Sequence, residues 1–146
     1  MKFKKILIAV DDTAYSMKAA KLGFELAHTL KAKIGVVYVV DRAHEVVNAD
    51  LGILPEESKL VLLQEAENII DQLVKMYDGI DQIYKFTPEG TPEKEIVNIA
   101  SQWGADLIVM GTHSRSGLNR LLNGSVTEYV IRHIDIPVIV THLKSD

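Results

Sequence analysis

Short, continuously apolar runs that alternate with helix-forming segments restrict the fold of this chain more than any other feature. The apolar runs span 6–10, 34–40, 107–110 and 136–141, and a weaker run spans 82–86. A run without polar alternation is typical of a strand that is buried on both faces of a sheet. The intervening segments repeat apolar residues at helical spacing and span 16–30, 56–77, 91–104 and 125–133. The sequence therefore predicts the element order β-α-β-α-β-α-β-α-β.

This element order favours one fold class. Parallel strands need long crossovers, and right-handed crossovers place helices on both faces of the sheet. We therefore predict an α/β, Rossmann-like fold with an open, doubly wound, five-stranded parallel sheet. The length of 146 residues suits one core rather than two, so residues 1–146 are predicted to form a single domain.

Composition excludes several classes of function. The chain has no cysteine, which removes disulfide frameworks, thiolate metal sites and cysteine nucleophiles. Its formal net charge of −4 argues against a nucleic-acid partner. No apolar run approaches the roughly 20 residues of a membrane helix, and the run at 6–10 is too short for a secretory signal. We therefore expect a cytoplasmic protein with no membrane partner.

Polar or glycine signals follow three of the predicted strands, at Asp11, Asp41 and Gly111. Ligands of open α/β sheets bind beyond the carboxyl ends of the strands, where the strand order reverses. The stretch 111–126 begins at such an end and finishes at a helix start, whose unpaired N–H groups suit an anion. Between Asp106 and Glu128 it holds two arginines and no carboxylate. This local charge favours one small, phosphate-bearing ligand.

Two of these residues have ordinary structural interpretations as well. Ser125 and Glu128 have the spacing of a capping box, which favours a helix cap over a phosphate contact at Ser125. Asp11 is either a solvated cap or a ligand for ribose hydroxyls or for magnesium beside phosphates. The long connection 41–55 is predicted to be a packed excursion, with a flap near the site as the alternative.

Three stretches of the sequence resemble the universal stress protein family, and the resemblance covers essentially the whole chain. They are the opening strand with Asp11, the segment from Met110 through Gly124-Ser125-Val126, and the closing Ile-Pro-Val-Ile-Val at 136–140. The nucleotide-binding pattern of that family is Gly-x2-Gly-x9-Gly-Ser/Thr. Gly111 and Gly124 match its first and last glycines with the correct spacing, whereas Ser114 replaces the second glycine.

The resemblance implies an ATP site with magnesium. The backbone of Val39 would contact adenine, Ala9 and Val10 would lie beside the base, and Asp11 would lie near the ribose and the metal. Phosphates would bind the N–H groups of 111–114 and 124–126. The site residues implied in this way are Ala9, Val10, Asp11, Val39, Met110, Gly111, Ser114, Arg115, Gly124, Ser125 and Val126.

The predicted function is that of an ATP-binding stress-response switch rather than a dedicated catalyst. No general base, phosphate-loop lysine or water-positioning glutamine stands at a motif position, so hydrolysis is expected to be weak at most. A serine at 114 is strained if that position requires a positive φ. The alternative is therefore a non-nucleotide-binding interaction module. The resemblance implies a homodimer in either case, with the fifth strand as the candidate edge.

Overall fold

Five parallel strands form one sheet in the computed structural model, which describes residues 2–41, 55–77, 82–112 and 124–142. The predicted alternation of strands and helices is confirmed. The strands are β1 (Lys5–Val10), β2 (Lys33–Tyr38), β3 (Ile83–Phe86), β4 (Leu107–Thr112) and β5 (Val138–His142). The helices are α1 (Ala14–Leu30), α2 (Pro55–Lys75), α3 (Pro92–Trp103) and α4 (Ser125–His133).

The strand order in the sheet is β3-β2-β1-β4-β5, and all neighbours run parallel. The chain therefore moves outward from β1 through β2 to β3, crosses back to β4 beside β1, and ends at β5. This order confirms the open, doubly wound fold. It places β1 in the middle and the reversal of direction between β1 and β4.

The two faces of the sheet carry separate hydrophobic cores because side chains alternate along each strand. Ile6 and Ile8 of β1 pack with Phe24 of α1 and Ile70 of α2 on one face. Leu7 and Ala9 pack on the other face with side chains of α3 and α4. Burial on both faces explains why β1 is apolar at every position from Ile6 to Val10.

The ends of several elements differ from the prediction. β4 continues through Gly111 to Thr112, two residues beyond the apolar run. β2 ends at Tyr38, after which Val40 forms an isolated bridge with Glu89. β5 begins at Val138 because Pro137 has no N–H to donate to the ladder, although its carbonyl accepts the N–H of Ile108 at 3.1 Å. Within the connection 41–55, residues 42–54 lie outside the described residues.

The helices begin and end at residues with recognisable cap geometry. α3 follows Thr91 with Pro92 at its first position and ends at Gly104, whose φ of 80° is left-handed, as the sequence predicts. α1 ends at Lys31, a non-glycine residue with a left-handed φ of 56°. Among the helices that the structure describes, none combines the length and the apolar character needed to cross a membrane.

Candidate functional site

The carboxyl ends of β1 and β4 lie side by side at the point where the strand order reverses. Ala9 of β1 pairs with Met110 of β4, while Val10 of β1 pairs with Tyr38 of β2. The connection after β1 leads through α1 to β2 on one side of β1, and the connection after β3 leads through α3 to β4 on the other side. Their loops diverge there, which leaves a crevice above the strand ends.

A cavity of about 270 Å³ occupies this crevice. Its volume is close to the lower end of the roughly 300–1,000 Å³ that is typical of ligand sites. Every sequence-predicted site residue within the described ranges lines the cavity, namely Ala9, Val10, Asp11, Val39, Met110, Gly111, Gly124, Ser125 and Val126. Ser114 and Arg115 lie outside the described residues.

Thr112, within the predicted phosphate-binding segment 111–114, also lines the cavity. A second group of lining residues was not predicted from the sequence, namely Ser16, Val37, Pro92, Ile96 and Thr127. A signal was present for some of them, because the start of α3 follows β3 and must therefore lie at the same edge of a parallel sheet. Asp41, which follows β2 at that edge, does not line the cavity.

One wall of the cavity is apolar. Val37, Ile96 and Met110 are each buried and belong to the core on the α3 and α4 face. Their packing fixes the wall, since buried side chains occupy defined rotamers. A flat, apolar surface with a few polar groups at its rim suits an aromatic ring system.

The backbone at the end of β2 faces this wall. Val40 directs its backbone toward the β3 side, because its N–H donates to Pro88 O at 2.8 Å and its carbonyl accepts the N–H of Gly90 at 3.0 Å. Successive residues of an extended strand direct their backbone groups to opposite edges. The carbonyl of Val39 is therefore directed toward β1, and Val39 lines the cavity.

Asp11 is held by a local network at the mouth of the cavity. Its Oδ1 accepts hydrogen bonds from the Thr13 N–H at 2.9 Å, the Thr13 hydroxyl, and the Ser16 hydroxyl at 2.9 Å. Its own N–H donates to Ser16 Oγ at 2.6 Å. The carboxylate therefore holds the turn before α1 and also lines the cavity.

The start of α4 corrects one prediction. The capping box at Ser125 is wrong, because Gly124 is the N-cap residue and no side-chain cap hydrogen bond forms there. Glu128 forms an ion pair with Arg132 at 2.8 Å instead. The first-turn N–H groups at 125–127 have no acceptor within the helix, and their residues line the cavity. A helix N-terminus of this kind stabilises an anion.

Gly111 has a packing reason that the sequence did not show. A Cβ atom at this position would lie 2.6 Å from the backbone oxygen of Tyr15 and 2.9 Å from its carbonyl carbon. The missing side chain therefore lets the start of α1 approach the end of β4. This approach brings Asp11 and Ser16 next to the strand that carries Met110.

The cavity carries little charge within the described part of the chain. Asp11 is the only carboxylate among its described lining residues, and none of those residues is cationic. On the other face of the sheet, burial raises the pKa of Tyr38 to about 12, with contributions from the carboxylates of Asp12, Glu65 and Asp11. The polar groups of the described lining residues are mainly hydroxyls and helix amides rather than ionised side chains.

The same residues provide no cage for a metal ion. Across the ranges that the structure describes, no cluster of three or more His, Cys, Asp or Glu side chains has a metal-binding arrangement. Magnesium in nucleotide sites is commonly held by one or two carboxylates together with the phosphates. Asp11 is the one described lining residue that fits this mode.

Comparisons with known proteins agree with this architecture. The family model of the universal stress protein family matches residues 2–142. Universal stress protein MJ0531 of Methanocaldococcus jannaschii is 37% identical over 94% of this chain and 81% of its own length. The solved structure of MJ0577 from the same organism is 31% identical, covers 100% of both chains and has a TM-score of 0.82.

A more distant solved structure shares the fold. It is the universal stress protein from Archaeoglobus fulgidus in complex with dAMP, which is 20% identical, has a TM-score of 0.64 and covers 96% of this chain and 98% of its own. The match of the family model over nearly the whole chain, together with the 37% identity to a full-length relative, shows the family directly. The chain belongs to the universal stress protein family.

Proposed function

We propose that the cavity binds an adenine nucleotide, with ATP as the ligand, and that the chain acts as a nucleotide-dependent stress-response switch. One observation carries this proposal: the uncapped start of α4 opens into the same cavity as the apolar wall. An anion site beside an apolar slot matches a molecule that has a phosphate at one end and a flat base at the other. The dAMP complex of the Archaeoglobus fulgidus protein supports an adenylate as the ligand class.

The base end of the ligand would lie against Val37, Ile96 and Met110. The backbone carbonyl of Val39 offers an acceptor at the rim for the amino group of adenine. A backbone contact of this type needs no particular side chain. This explains why the residue can be aliphatic and still contribute to recognition.

The phosphate end would lie at the start of α4, where the N–H groups at 125–127 and the Ser125 hydroxyl are hydrogen-bond donors. Magnesium would share the phosphate charge. The metal would supply charge neutralisation. The residues predicted at 114 and 115 would complete this end of the site.

Nucleotide binding can be measured by thermal unfolding of the purified chain at increasing ATP concentration. ATP has roughly 31 heavy atoms, so about 0.3 kcal/mol per atom places its Kd in the micromolar range or below. At about 100 times Kd, binding adds roughly 2.7 kcal/mol to the free energy of unfolding. For a chain of this size, that increase corresponds to a rise in Tm of roughly 5–10 °C.

The variant Gly124→Asp tests the location of the site. It places a carboxylate beside the helix start and strains a backbone whose φ is 87°. The matched control is Gly104→Asp, which has a similar φ of 80°. Gly104 lies before β4, at the amino-terminal ends of the strands and away from the cavity. We expect Gly124→Asp to abolish the ATP-dependent rise in Tm and Gly104→Asp to retain it. A wild-type Tm that does not respond to ATP contradicts the proposal.

A second candidate function is a homodimeric interaction module that uses β5. Val138, Ile139 and Val140 on this edge strand are all partly exposed. The opposite edge strand, β3, carries the exposed cation Lys85, and charged edge residues discourage strand pairing. Because no such residue lies between Val138 and Val140, β5 is the better edge for pairing with a second copy.

The dimer can be tested by sedimentation velocity of two matched variants. Val138→Lys places a charge on β5, and Ile83→Lys places the same charge at a half-buried position of β3. We expect the first variant to be monomeric at concentrations where the wild type and the second variant are dimeric. A dimer that survives Val138→Lys contradicts this interface, and ATP binding to the monomeric variant separates the two functions.

A further inference from the structure

We infer that Ser16 and Thr13 are positioning residues that hold Asp11 as a hydrogen-bond acceptor for the sugar of the bound nucleotide. This inference rests on the proposed function, because it concerns the same cavity. It assigns a role to two side chains outside the glycine pattern. It also chooses the sugar over the metal as the partner of Asp11.

Ser16 fixes Asp11 at two points. The Ser16 hydroxyl donates to Asp11 Oδ1 at 2.9 Å and accepts the backbone N–H of Asp11 at 2.6 Å. The end of β1 and the first turn of α1 are thereby joined by one side chain. Thr13 adds a backbone donor and a hydroxyl donor to the same carboxylate oxygen. A rotation of the Asp11 side chain would break all three of these bonds to Oδ1.

The supporting side chain is itself fixed. Ser16 is 4% exposed and lies in the first turn of α1. That turn packs closely on the end of β4, where only a glycine at 111 permits the approach of Tyr15 O. A binding group is precise when its support is buried in rigid elements. Ser16 meets this condition and lines the cavity beside Asp11.

The three donors on Asp11 Oδ1 oppose a metal ion at that oxygen. A cation bound to Oδ1 would have to lie among three hydrogen atoms that already point at that oxygen. Magnesium also demands near-ideal octahedral geometry, which three fixed donors on Oδ1 oppose. A carboxylate held by several donors is well suited to accept a further bond from a neutral hydroxyl, and bonds to charged groups are the stronger ones.

The test measures coupling between Ser16 and the sugar hydroxyls. Isothermal titration of the full chain gives the Kd of ATP and of 2′,3′-dideoxy-ATP, which lacks both hydroxyls, with magnesium and with EDTA. The variants are Ser16→Ala, which removes the hydroxyl, and Ser16→Thr, which keeps it. Ser58→Ala is the matched control, since Ser58 is a buried helix serine, 8% exposed, that does not line the cavity.

We expect Ser16→Ala to weaken ATP binding about tenfold, the effect of roughly 1.4 kcal/mol. Binding of the dideoxy analogue should change less than about twofold, because the lost coupling involves the hydroxyls that it lacks. Ser16→Thr should restore most of the ATP affinity, and Ser58→Ala should match the wild type. The ratio of the ATP Kd of Ser16→Ala to the ATP Kd of the wild type should be the same with magnesium and with EDTA.

Three results overturn the inference alone. Equal weakening of both nucleotides by Ser16→Ala shows a purely structural role, and unchanged ATP binding shows no role. A weakening seen only with magnesium assigns Asp11 to the metal. Failure of the wild type to bind either nucleotide overturns the proposed function itself, and with it the positioning role.

Discussion

The close approach of Gly111 to α1 makes Gly111→Ala the most informative single substitution in this chain. The added Cβ would lie 2.6 Å from Tyr15 O, 2.9 Å from its carbonyl carbon and 3.1 Å from its Cβ. Two of these three atoms are backbone. They cannot move away by a change of rotamer, so the start of α1 or the end of β4 must shift.

The magnitude follows from two opposing terms. Forcing an extra carbon into a packed site costs about 1–3 kcal/mol, and backbone neighbours favour the upper part of that range. Replacing glycine by alanine reduces the entropy of the unfolded chain, which returns about 0.4–1 kcal/mol. We therefore expect Gly111→Ala to lower the free energy of unfolding by about 1–2 kcal/mol, or Tm by roughly 2–8 °C.

Gly23→Ala is the matched control, because its close contacts are with a side chain instead of the backbone. Its Cβ would meet Ile8 Cδ1 at 2.5 Å and Cγ1 at 2.6 Å, which is as close as the contact at Gly111. Those atoms belong to a side chain, which can adjust its torsion angles without a shift of the backbone. Gly23 also lies inside α1, where alanine is favoured over glycine by about 1 kcal/mol. The control should therefore change stability by less than about 1 kcal/mol.

Urea denaturation followed by far-UV circular dichroism measures both variants on one scale. The reasoning about backbone compliance is refuted if Gly23→Ala costs as much as Gly111→Ala, or if Gly111→Ala is as stable as the wild type. An unchanged denaturant slope is also expected, since neither substitution alters the surface exposed on unfolding.

Two further predictions concern stability. Lys31→Gly should raise Tm by up to roughly 2–4 °C, because it relieves the left-handed φ of 56° at the end of α1, whereas Lys21→Gly within the same helix should lower it. A fall in Tm for Lys31→Gly would contradict the statement that the left-handed backbone of Lys31 is strained. The second prediction concerns Tyr38, whose pKa is about 12 in the folded state against 10.0 normally. The contribution of its neutral side chain to the free energy of unfolding is fully present below pH 10. It is lost as the pH rises toward 12, because only the unfolded state releases the proton in that window. The slope is below about 1.4 kcal/mol per pH unit because the side chain is partly solvated. Tyr38→Phe should therefore show a shallower alkaline decline in urea denaturation than the wild type, and equal slopes contradict the assignment.

The fold was predictable because its signals are local and repeated. Each central strand contains a continuous apolar run, and each helix has one apolar stripe, so element type and order follow from periodicity. The errors lie at element ends. β4 extends to Thr112 beyond the last apolar residue, since the hydrogen bonds of a sheet do not depend on side-chain polarity. Periodicity contains no information about such ends.

The site was predictable where a residue follows a strand or belongs to the glycine pattern. Asp11, Gly111 and Gly124 meet both the sequence criteria and the geometric one. Ser16 and Ile96 line the cavity from inside helices, as the third and fifth residues of α1 and α3. Their participation depends on how those helices pack on the sheet. A single sequence gives the stripe that faces the core but not the distance of each turn from the strand ends.

The misassigned capping box shows how a one-residue offset changes the hydrogen bonding at a helix start. Serine, threonine, asparagine and glycine are all acceptable N-cap residues, but the prediction named only Ser125. Gly124 takes the position with φ 87° and ψ 145°, close to a region that glycine alone populates readily. Ser125 therefore enters the helix as its first residue, and Glu128 shifts to the fourth, where it pairs with Arg132. Had Ser125 been the cap, serine and glutamate would have satisfied each other's backbone donors. The observed offset leaves the first turn of α4 without a side-chain cap at residues that line the cavity, an arrangement that suits an anion.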